Sequence, residues 1–106
     1  MVKEMPSEFT QEVIKIIKNI PKGKVLTYGM IAKLAGNPRA ARQVSWILHS
    51  SSKKHDLPWH RVINSKGLIA LNSDKDRYYQ KNLLKKEGIK FKSEFGIDLK
   101  EYLWVS

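Results

Sequence analysis

Two short predicted helices joined by a three-residue turn constrain this chain more than any other feature of its sequence. Thr27 is a suitable N-cap for a helix from Tyr28 to Ala35. The sequence Gly36-Asn37-Pro38 then forms a tight turn, with glycine just past one helix end and proline opening the next helix. We predict that this next helix runs from Pro38 to about Ser50. Its apolar spacing buries Ala40, Val44, Ile47 and Leu48, and its other face carries Ala41, Arg42, Ser45 and His49. Two helices joined in this way form a helix-turn-helix unit, although a helical corner that serves only the core has the same pattern.

The charge of the chain is concentrated around this predicted unit. The sequence has 20 Lys and Arg residues against 10 Asp and Glu residues, which gives a formal net charge of +10. Within residues 21–48 there is no acidic residue, and the basic residues are Lys22, Lys24, Lys33, Arg39 and Arg42. Such a window is typical of a surface that binds a polyanion such as nucleic acid. A solvated face that only promotes solubility is the alternative.

The other patterns predict a mainly α domain with a small β element, and 106 residues are enough for one domain spanning residues 1–106. Ser7 can cap a first helix that runs to about Asn19. Residues 64–67 form a turn between short strands at Arg61–Ile63 and Leu68–Ala70. A fourth helix is expected from about Lys75 to Glu87. We expect its inward residues to be Tyr79, Leu83 and Leu84, and the apolar side chains of residues 89–106 to pack back on the core.

Several classes of site are excluded or disfavoured by composition. The chain has no cysteine, so disulfides, thiolate metal sites and a cysteine nucleophile are excluded, and the redox compartment stays open. His49, His55 and His60 are not at metal-ligand spacing, and no glycine-rich phosphate loop or nucleophile elbow is present. No metal and no cofactor is therefore expected. Without a signal peptide or a membrane-length apolar run, we expect a cytoplasmic monomer with no membrane partner, associated with the nucleoid when bound to DNA.

The segment Pro58-Trp59-His60-Arg61 is unusual because a large aromatic residue stands directly beside two basic ones. One interpretation places the Trp59 indole in the core, at the edge of a buried strand. The other makes it a stacking surface for a nucleobase, since a flat aromatic ring beside cationic groups suits the face of a base. Composition alone leaves both open.

A set of short stretches spread along the chain forms one pattern: Ile20-Pro21-Lys22-Gly23-Lys24-Val25, Thr27-Tyr28-Gly29, Ile31-Ala32, Ala35-Gly36-Asn37-Pro38-Arg39-Ala40-Ala41-Arg42-Gln43-Val44, Pro58-Trp59-His60-Arg61-Val62-Ile63, Gly67 and Glu87-Gly88. This pattern resembles the C-terminal DNA-binding domain of the O6-alkylguanine-DNA alkyltransferases, a helix-turn-helix, winged-helix-like fold. The family has Pro-Cys-His-Arg-Val where this chain has Pro-Trp-His-Arg-Val. This tryptophan, together with the closing Leu99-Lys100-Glu101-Tyr102-Leu103-Trp104, is similar to the alkyltransferase-like proteins.

The resemblance implies a role for each matching residue. The third helix would enter the minor groove, with Arg42 filling the space left by a base that Tyr28 helps to rotate out. The implied DNA-binding residues are Thr27, Tyr28, Arg39, Ala41, Arg42 and Ser45. The implied lesion pocket consists of Tyr28, Pro58, Trp59 and Asn72. His60 and Glu87 match the residues that activate the cysteine in the enzymes, and here only a structural hydrogen bond between them is expected. Which loop residue touches the lesion stays open among Asn72, Lys75 and Arg77.

The missing cysteine decides the implied function. A thiolate is the nucleophile in alkyl transfer, and an indole has no equivalent lone pair. The resemblance therefore implies a protein that is not an enzyme, recognises O6-alkylguanine in double-stranded DNA by base flipping, and passes the lesion to nucleotide excision repair proteins. A sequence-specific helix-turn-helix transcription regulator is the alternative. It accounts for the charge and the helices but leaves the segment around Trp59 without a role. An active enzyme with another nucleophile is the third option.

Overall fold

The computed structural model describes residues 7–105 and is mainly helical, with a small two-stranded sheet. In chain order the elements are α1 (Glu8–Lys18), β1 (Leu26–Thr27), α2 (Tyr28–Leu34), α3 (Ala41–Ser51), a 3₁₀ helix (Trp59–Arg61), β2 (Val62–Ile63), α4 (Asp74–Lys86) and α5 (Leu99–Tyr102). The predicted fold class is therefore confirmed. No helix within residues 7–105 has the length and apolarity needed to cross a membrane.

The first three helices pack around one core. The Ser7 hydroxyl accepts a hydrogen bond from the backbone N–H of Thr10, which caps α1 as predicted. The helices then contribute fully buried aliphatic side chains to a shared cluster. Its central members include Val13 and Ile17 from α1, Ile31 from α2, and Val44 from α3. This cluster holds one face of α3 against the other helices, and the opposite face of α3 is exposed to solvent.

The turn between α2 and α3 is longer than the sequence predicted. Gly36 adopts a φ of +101°, and the N–H of Asn37 bonds the carbonyl of Ala32 at 2.9 Å, which ends α2 in a Schellman motif. A second turn follows at once, because the carbonyl of Asn37 accepts from Ala40 and its side chain accepts from Arg39. Proline thus occupies the second position of a β-turn. The predicted helix start at Pro38 is wrong, and α3 begins at Ala41.

The predicted hairpin of strands Arg61–Ile63 and Leu68–Ala70 is also wrong. β2 pairs in parallel with β1, with Leu26 opposite Val62 and Thr27 opposite Ile63. The turn at residues 64–67 does form, since the N–H of Gly67 bonds the carbonyl of Asn64 at 3.0 Å. The segment after that turn instead pairs with the chain's last part, through an antiparallel bridge between Leu68 and Gly96. Each of the two predicted strands therefore pairs with a segment that is distant in sequence, and not with the other.

α4 and the last part of the chain enclose a second apolar cluster. It includes Val25, Ile63, Ile69, Leu84, Ile89, Ile97 and Tyr102. The predicted packing of the tail is confirmed, and the backbone N–H of Trp104 bonds the carbonyl of Val25 at 2.9 Å. The inward placement of Tyr79 is wrong, because its side chain is 57% exposed, whereas Leu84 is buried and Leu83 half-buried. Gln80 takes an inward position and donates to the carbonyls of His60 and Val62, both at 3.0 Å.

Candidate nucleic-acid interface

The solvent face of α3 carries small and basic side chains. Arg42, Ser45 and His49 are exposed and Ala41 is half-buried, while Val44, Ile47 and Leu48 are turned into the core. This division of the helix into two faces agrees with the sequence prediction. Because Ala41 and Ser45 are short, the backbone of α3 can approach another surface closely on that side of Arg42.

A cleft of about 350 Å³ lies next to this face. Ser45 and His49 line it from α3, Tyr28 from α2, Trp59 from the 3₁₀ helix, Tyr79 from α4, and Leu71 from the preceding loop. Its volume falls within the range of about 300–1,000 Å³ that is usual for small-molecule pockets. The walls combine aromatic rings with a few polar groups, a composition suited to a flat heterocycle.

Trp59 lies at the boundary between the core and this cleft. Its side chain is half-buried and packs in part against the cluster formed by the first three helices. Its ring centroid is 5.9 Å from that of Tyr79, at an interplanar angle of 42°, and 6.1 Å from that of His60, nearly edge-on. The indole is therefore neither a wholly buried core residue nor a free surface ring. It forms part of the cleft wall and is supported from behind.

A carboxylate that contacts the 3₁₀ helix joins three parts of the chain. Glu87, which caps the end of α4, accepts hydrogen bonds from Arg61, from the backbone N–H of Gly23 at 2.9 Å, and from His60, whose Nε2 lies 2.6 Å from Oε2. The Arg61 guanidinium donates hydrogen bonds to both carboxylate oxygens, and it also donates to the carbonyl of Ile20 at 2.9 Å. The predicted contact between His60 and Glu87 is thus present. The larger share taken by Arg61 was not predicted.

The ionisation of Glu87 follows from these contacts. Burial by itself raises the pKa of its carboxyl group, because it disfavours the charged form. The hydrogen bonds from Arg61, Gly23 and His60 outweigh burial and lower the pKa from 4.5 to about 2. Glu87 is therefore ionised throughout the physiological range and fully engaged in holding neighbouring elements together.

The remaining predicted site residues lie in different environments. Thr27 is only 5% exposed, and its hydroxyl accepts from the N–H of Met30, so it caps α2 as predicted. Tyr28 lines the cleft, and burial raises the pKa of its phenol. Asn72 lines a neighbouring groove shared with Arg42. Arg39 lines another groove on the far flank of α3, and Pro58 lines none of these surfaces.

Sequence reasoning missed part of the cleft. His49 could have been placed there from the sequence, because it lies one helical turn after Ser45 on the same face of α3. Asp76 and Tyr79 also line it, from successive turns of α4. They could not be assigned without knowing that α4 packs on the 3₁₀ helix. Arg77, a candidate for lesion contact, is instead engaged by the carbonyl of Leu71 and the carboxylate of Asp74.

Fold and site together define a basic helix-turn-helix domain with an aromatic-walled cleft beside its second helix. Residues 8–89 match the family model of the 6-O-methylguanine DNA methyltransferase, DNA binding domain. The chain belongs to this family. It is an alkyltransferase-like member, since one of its relatives is named Alkyltransferase-like protein 1 and another is named a DNA base-flipping protein. Because the chain has no cysteine, it cannot use a cysteine as alkyl acceptor.

Three comparisons define the similarity. The DNA base-flipping protein of Escherichia coli (strain K12) is 45% identical over 95% of this chain and 78% of its own length. Alkyltransferase-like protein 1 of Schizosaccharomyces pombe is 38% identical over 92% of this chain and 94% of its own. The crystal structure of S. pombe Atl1 in complex with damaged DNA containing O6-carboxymethylguanine superposes with a TM-score of 0.84. That match has 36% identity and covers 96% of this chain and all of the other.

Proposed function

We propose that this protein recognises O6-alkylguanine in double-stranded DNA by base flipping and does not repair it. The observation that carries the proposal is the cleft walled by Trp59 and Tyr28, which lies directly beside the exposed face of α3 that bears Arg42. Two comparisons support it. One relative is named a DNA base-flipping protein, and a close structural neighbour was crystallised on DNA with an O6-alkylated guanine.

In this proposal α3 lies in the minor groove, with Ala41 and Ser45 allowing close approach. Arg42 enters the base stack and fills the space of the extruded nucleotide. Burial raises the pKa of the Tyr28 phenol further above the physiological range, and its protonated hydroxyl can donate to the backbone or to the base beside it. Arg39, in the turn before α3, contacts phosphate, and Thr27 acts by capping the helix that starts at Tyr28.

The energetics favour a damaged base over an intact one. Extruding a base costs a few kcal/mol, and less when alkylation at O6 has weakened its pairing. Stacking on an aromatic side chain recovers about 1–3 kcal/mol per base. Trp59 is the ring placed to do this, with Tyr79 beside it and Asn72 in the adjoining groove. Intact guanine gains the same stacking but loses a stronger base pair.

The chemistry of the site is consistent with binding alone. We infer that Trp59 occupies the place of the alkyl-accepting cysteine in the family's enzymes. His60 and Glu87 keep their mutual hydrogen bond, but Glu87 is also saturated by Arg61 and Gly23. A group held in this way supports the fold and has no thiol to activate. Because the alkyl group stays on the DNA, the complex has to be passed on, and we propose nucleotide excision repair proteins as the recipients.

The test compares one duplex carrying either guanine or O6-methylguanine at a single position. We expect tighter binding to the methylated duplex, measured by fluorescence anisotropy, and no transfer of a labelled methyl group to the protein. Equal affinities would refute lesion recognition, and a stoichiometrically methylated protein would refute the non-enzymatic role. Selection of one short sequence from random undamaged duplexes would instead support the transcription regulator.

A further inference from the structure

Trp46 on α3 is a large aromatic side chain that the fold leaves in solvent. Its surface is 73% exposed, whereas the two other tryptophans, Trp59 and Trp104, are half-buried against the core. Within residues 7–105 its indole N–H has no hydrogen-bond partner. Aromatic rings are among the most common anchors of binding surfaces, because they bring a large apolar area and one polar group together. The fold itself gives this ring no evident role.

The charge around Trp46 specifies the kind of partner. The ring lies between two grooves, one of about 590 Å³ lined also by Arg39, Arg42 and Gln43, and one of about 960 Å³ lined also by Arg42 and Asn72. No acidic side chain lines either groove in the described part of the chain. An indole flanked by arginines, with no carboxylate nearby, complements a phosphodiester backbone.

The position of Trp46 around the helix axis separates it from the cleft. Relative to Arg42, Ser45 is rotated about 60° in one direction and Trp46 about 40° in the other, as follows from 3.6 residues per turn. Ser45 and His49 line the cleft, and Trp46 does not. Arg42 therefore lies between the two on the exposed face of α3, with the cleft on the Ser45 side and the indole on the other side. The larger groove, which Tyr28, Ser45 and His49 also line, connects the two sides.

From this arrangement we propose that Trp46 contacts the sugar–phosphate backbone of the DNA strand opposite the lesion. The inference rests on the proposed function, in which the lesion strand delivers its base to the cleft and Arg42 fills the gap in the stack. The wall of the minor groove that remains on the other flank of α3 is then the complementary strand. The indole ring packs on a deoxyribose, and its N–H donates to a phosphate oxygen. Trp46 thereby holds the undamaged strand while the damaged base turns out.

The first experiment separates the ring from its N–H. Trp46→Ala should weaken binding to the O6-methylguanine duplex about tenfold or more, the loss expected for one hydrogen bond to a charged group and the accompanying contact. Trp46→Phe keeps an aromatic ring but no donor, so its affinity should lie between that of the unmodified protein and that of Trp46→Ala. Leu34→Ala is the control, because Leu34 is also a large exposed apolar residue (60%) but lines a different groove, beside Glu12.

All three variants should keep the thermal unfolding midpoint of the unmodified protein, since the substituted side chains are mostly in solvent. If Trp46→Ala binds the duplex as tightly as the unmodified protein, Trp46 is not a DNA contact and the proposal is wrong. A loss of equal size in Leu34→Ala would have the same meaning, because it would show that any exposed apolar side chain has the effect.

The second experiment identifies the strand. Neutral methylphosphonate linkages are placed near the lesion in one strand at a time, and each duplex is titrated with the unmodified protein and with Trp46→Ala. Linkages in the complementary strand should weaken DNA binding by the unmodified protein but have little further effect on binding by the variant. If the variant instead becomes insensitive to linkages in the lesion strand, the assignment to the opposite strand is overturned.

These outcomes can be told apart from a failure of lesion recognition. If the unmodified protein binds methylated and intact duplexes equally, the proposed function is wrong, whatever Trp46 does. If it prefers the methylated duplex while Trp46→Ala retains full affinity, the proposed function stands and only the role of Trp46 is rejected.

Discussion

At the scale of single residues, the proposed recognition depends most on the side chain of Trp59. It is half-buried, it forms part of the cleft wall, and it has Tyr79 beside it at a ring distance of 5.9 Å. Trp104 is similar in two respects, since it is also half-buried and packs on the same core cluster. It lines a groove formed with α1 and α2, away from the cleft. The two tryptophans therefore allow stacking on a base to be separated from packing in the core.

We predict that Trp59→Ala weakens binding to the O6-methylguanine duplex by about tenfold, because it removes a stacking contribution of about 1–3 kcal/mol. Affinity for the intact duplex should change less. Trp104→Ala should lower the free energy of unfolding about as much as Trp59→Ala does, but it should keep the preference for the methylated duplex. The measurements are anisotropy titrations beside urea unfolding curves. A Trp59→Ala protein destabilised by about 3–5 kcal/mol, with its lesion preference intact, would identify Trp59 as a core residue only.

At the scale of secondary-structure elements, Glu87 connects parts of the chain that the sheet is too small to connect. It ties the end of α4 to the turn before β1 through Gly23, and to the 3₁₀ helix through His60 and Arg61. The 3₁₀ helix in turn carries Trp59. The carboxylate thus contributes to the position of the cleft wall without lining the cleft.

This network predicts a stability that depends on acidity. The pKa of Glu87 is lowered in the folded protein to about 2, against 4.5 for an unperturbed carboxyl. Its contribution of about 3 kcal/mol is therefore complete above about pH 4.5 and is lost as the pH falls toward 2, since the unfolded chain takes up the proton first. Glu87→Gln should lose about this much stability at neutral pH and show a weaker decline below pH 4.5 than the unmodified protein.

Urea unfolding at a series of pH values measures this effect, with the exposed Glu101→Gln as the control. The difference between Glu87→Gln and the unmodified protein should shrink as the pH approaches 2. A constant difference across the acid range would contradict the assignment, because it would show that the ionisation of Glu87 does not stabilise the fold.

At the scale of the whole molecule, the net charge of +10 is distributed unevenly, and the acid-free window spans α2, α3 and the turns that precede them. We predict that affinity for DNA falls steeply with salt, with a log–log slope between about −2 and −5, as several phosphate contacts release their counterions. Arg39→Gln should make the slope shallower by about one. Lys86→Gln, at the end of α4 that is distant from the cleft, should leave it unchanged.

Titrations from low to physiological salt test this prediction with the same two duplexes. A slope near zero for the unmodified protein would contradict binding through phosphates. A shallower slope for Lys86→Gln, but not for Arg39→Gln, would place the DNA on a different face of the molecule.

The sequence by itself determined the features that depend on a few neighbouring residues. Ser7 and Thr27 cap their helices as predicted, because a capping bond joins residues only three apart. Gly36 ends α2 because a positive φ strains most other residues. The apolar spacing of α3 placed Arg42 and Ser45 on its solvent face for the same local reason. Membership in the family could also be predicted from the sequence, since the family's motifs are short runs of adjacent residues.

Only the tertiary structure decided what depends on partners distant in the chain. β1 and β2 are separated by more than thirty residues, and their parallel pairing displaced the predicted hairpin. Arg61 and Glu87 are 26 residues apart and meet because α4 packs on the 3₁₀ helix. The same packing brings Asp76 and Tyr79 to the cleft. Such contacts form where burial of the whole core is most favourable, and no local propensity encodes that balance.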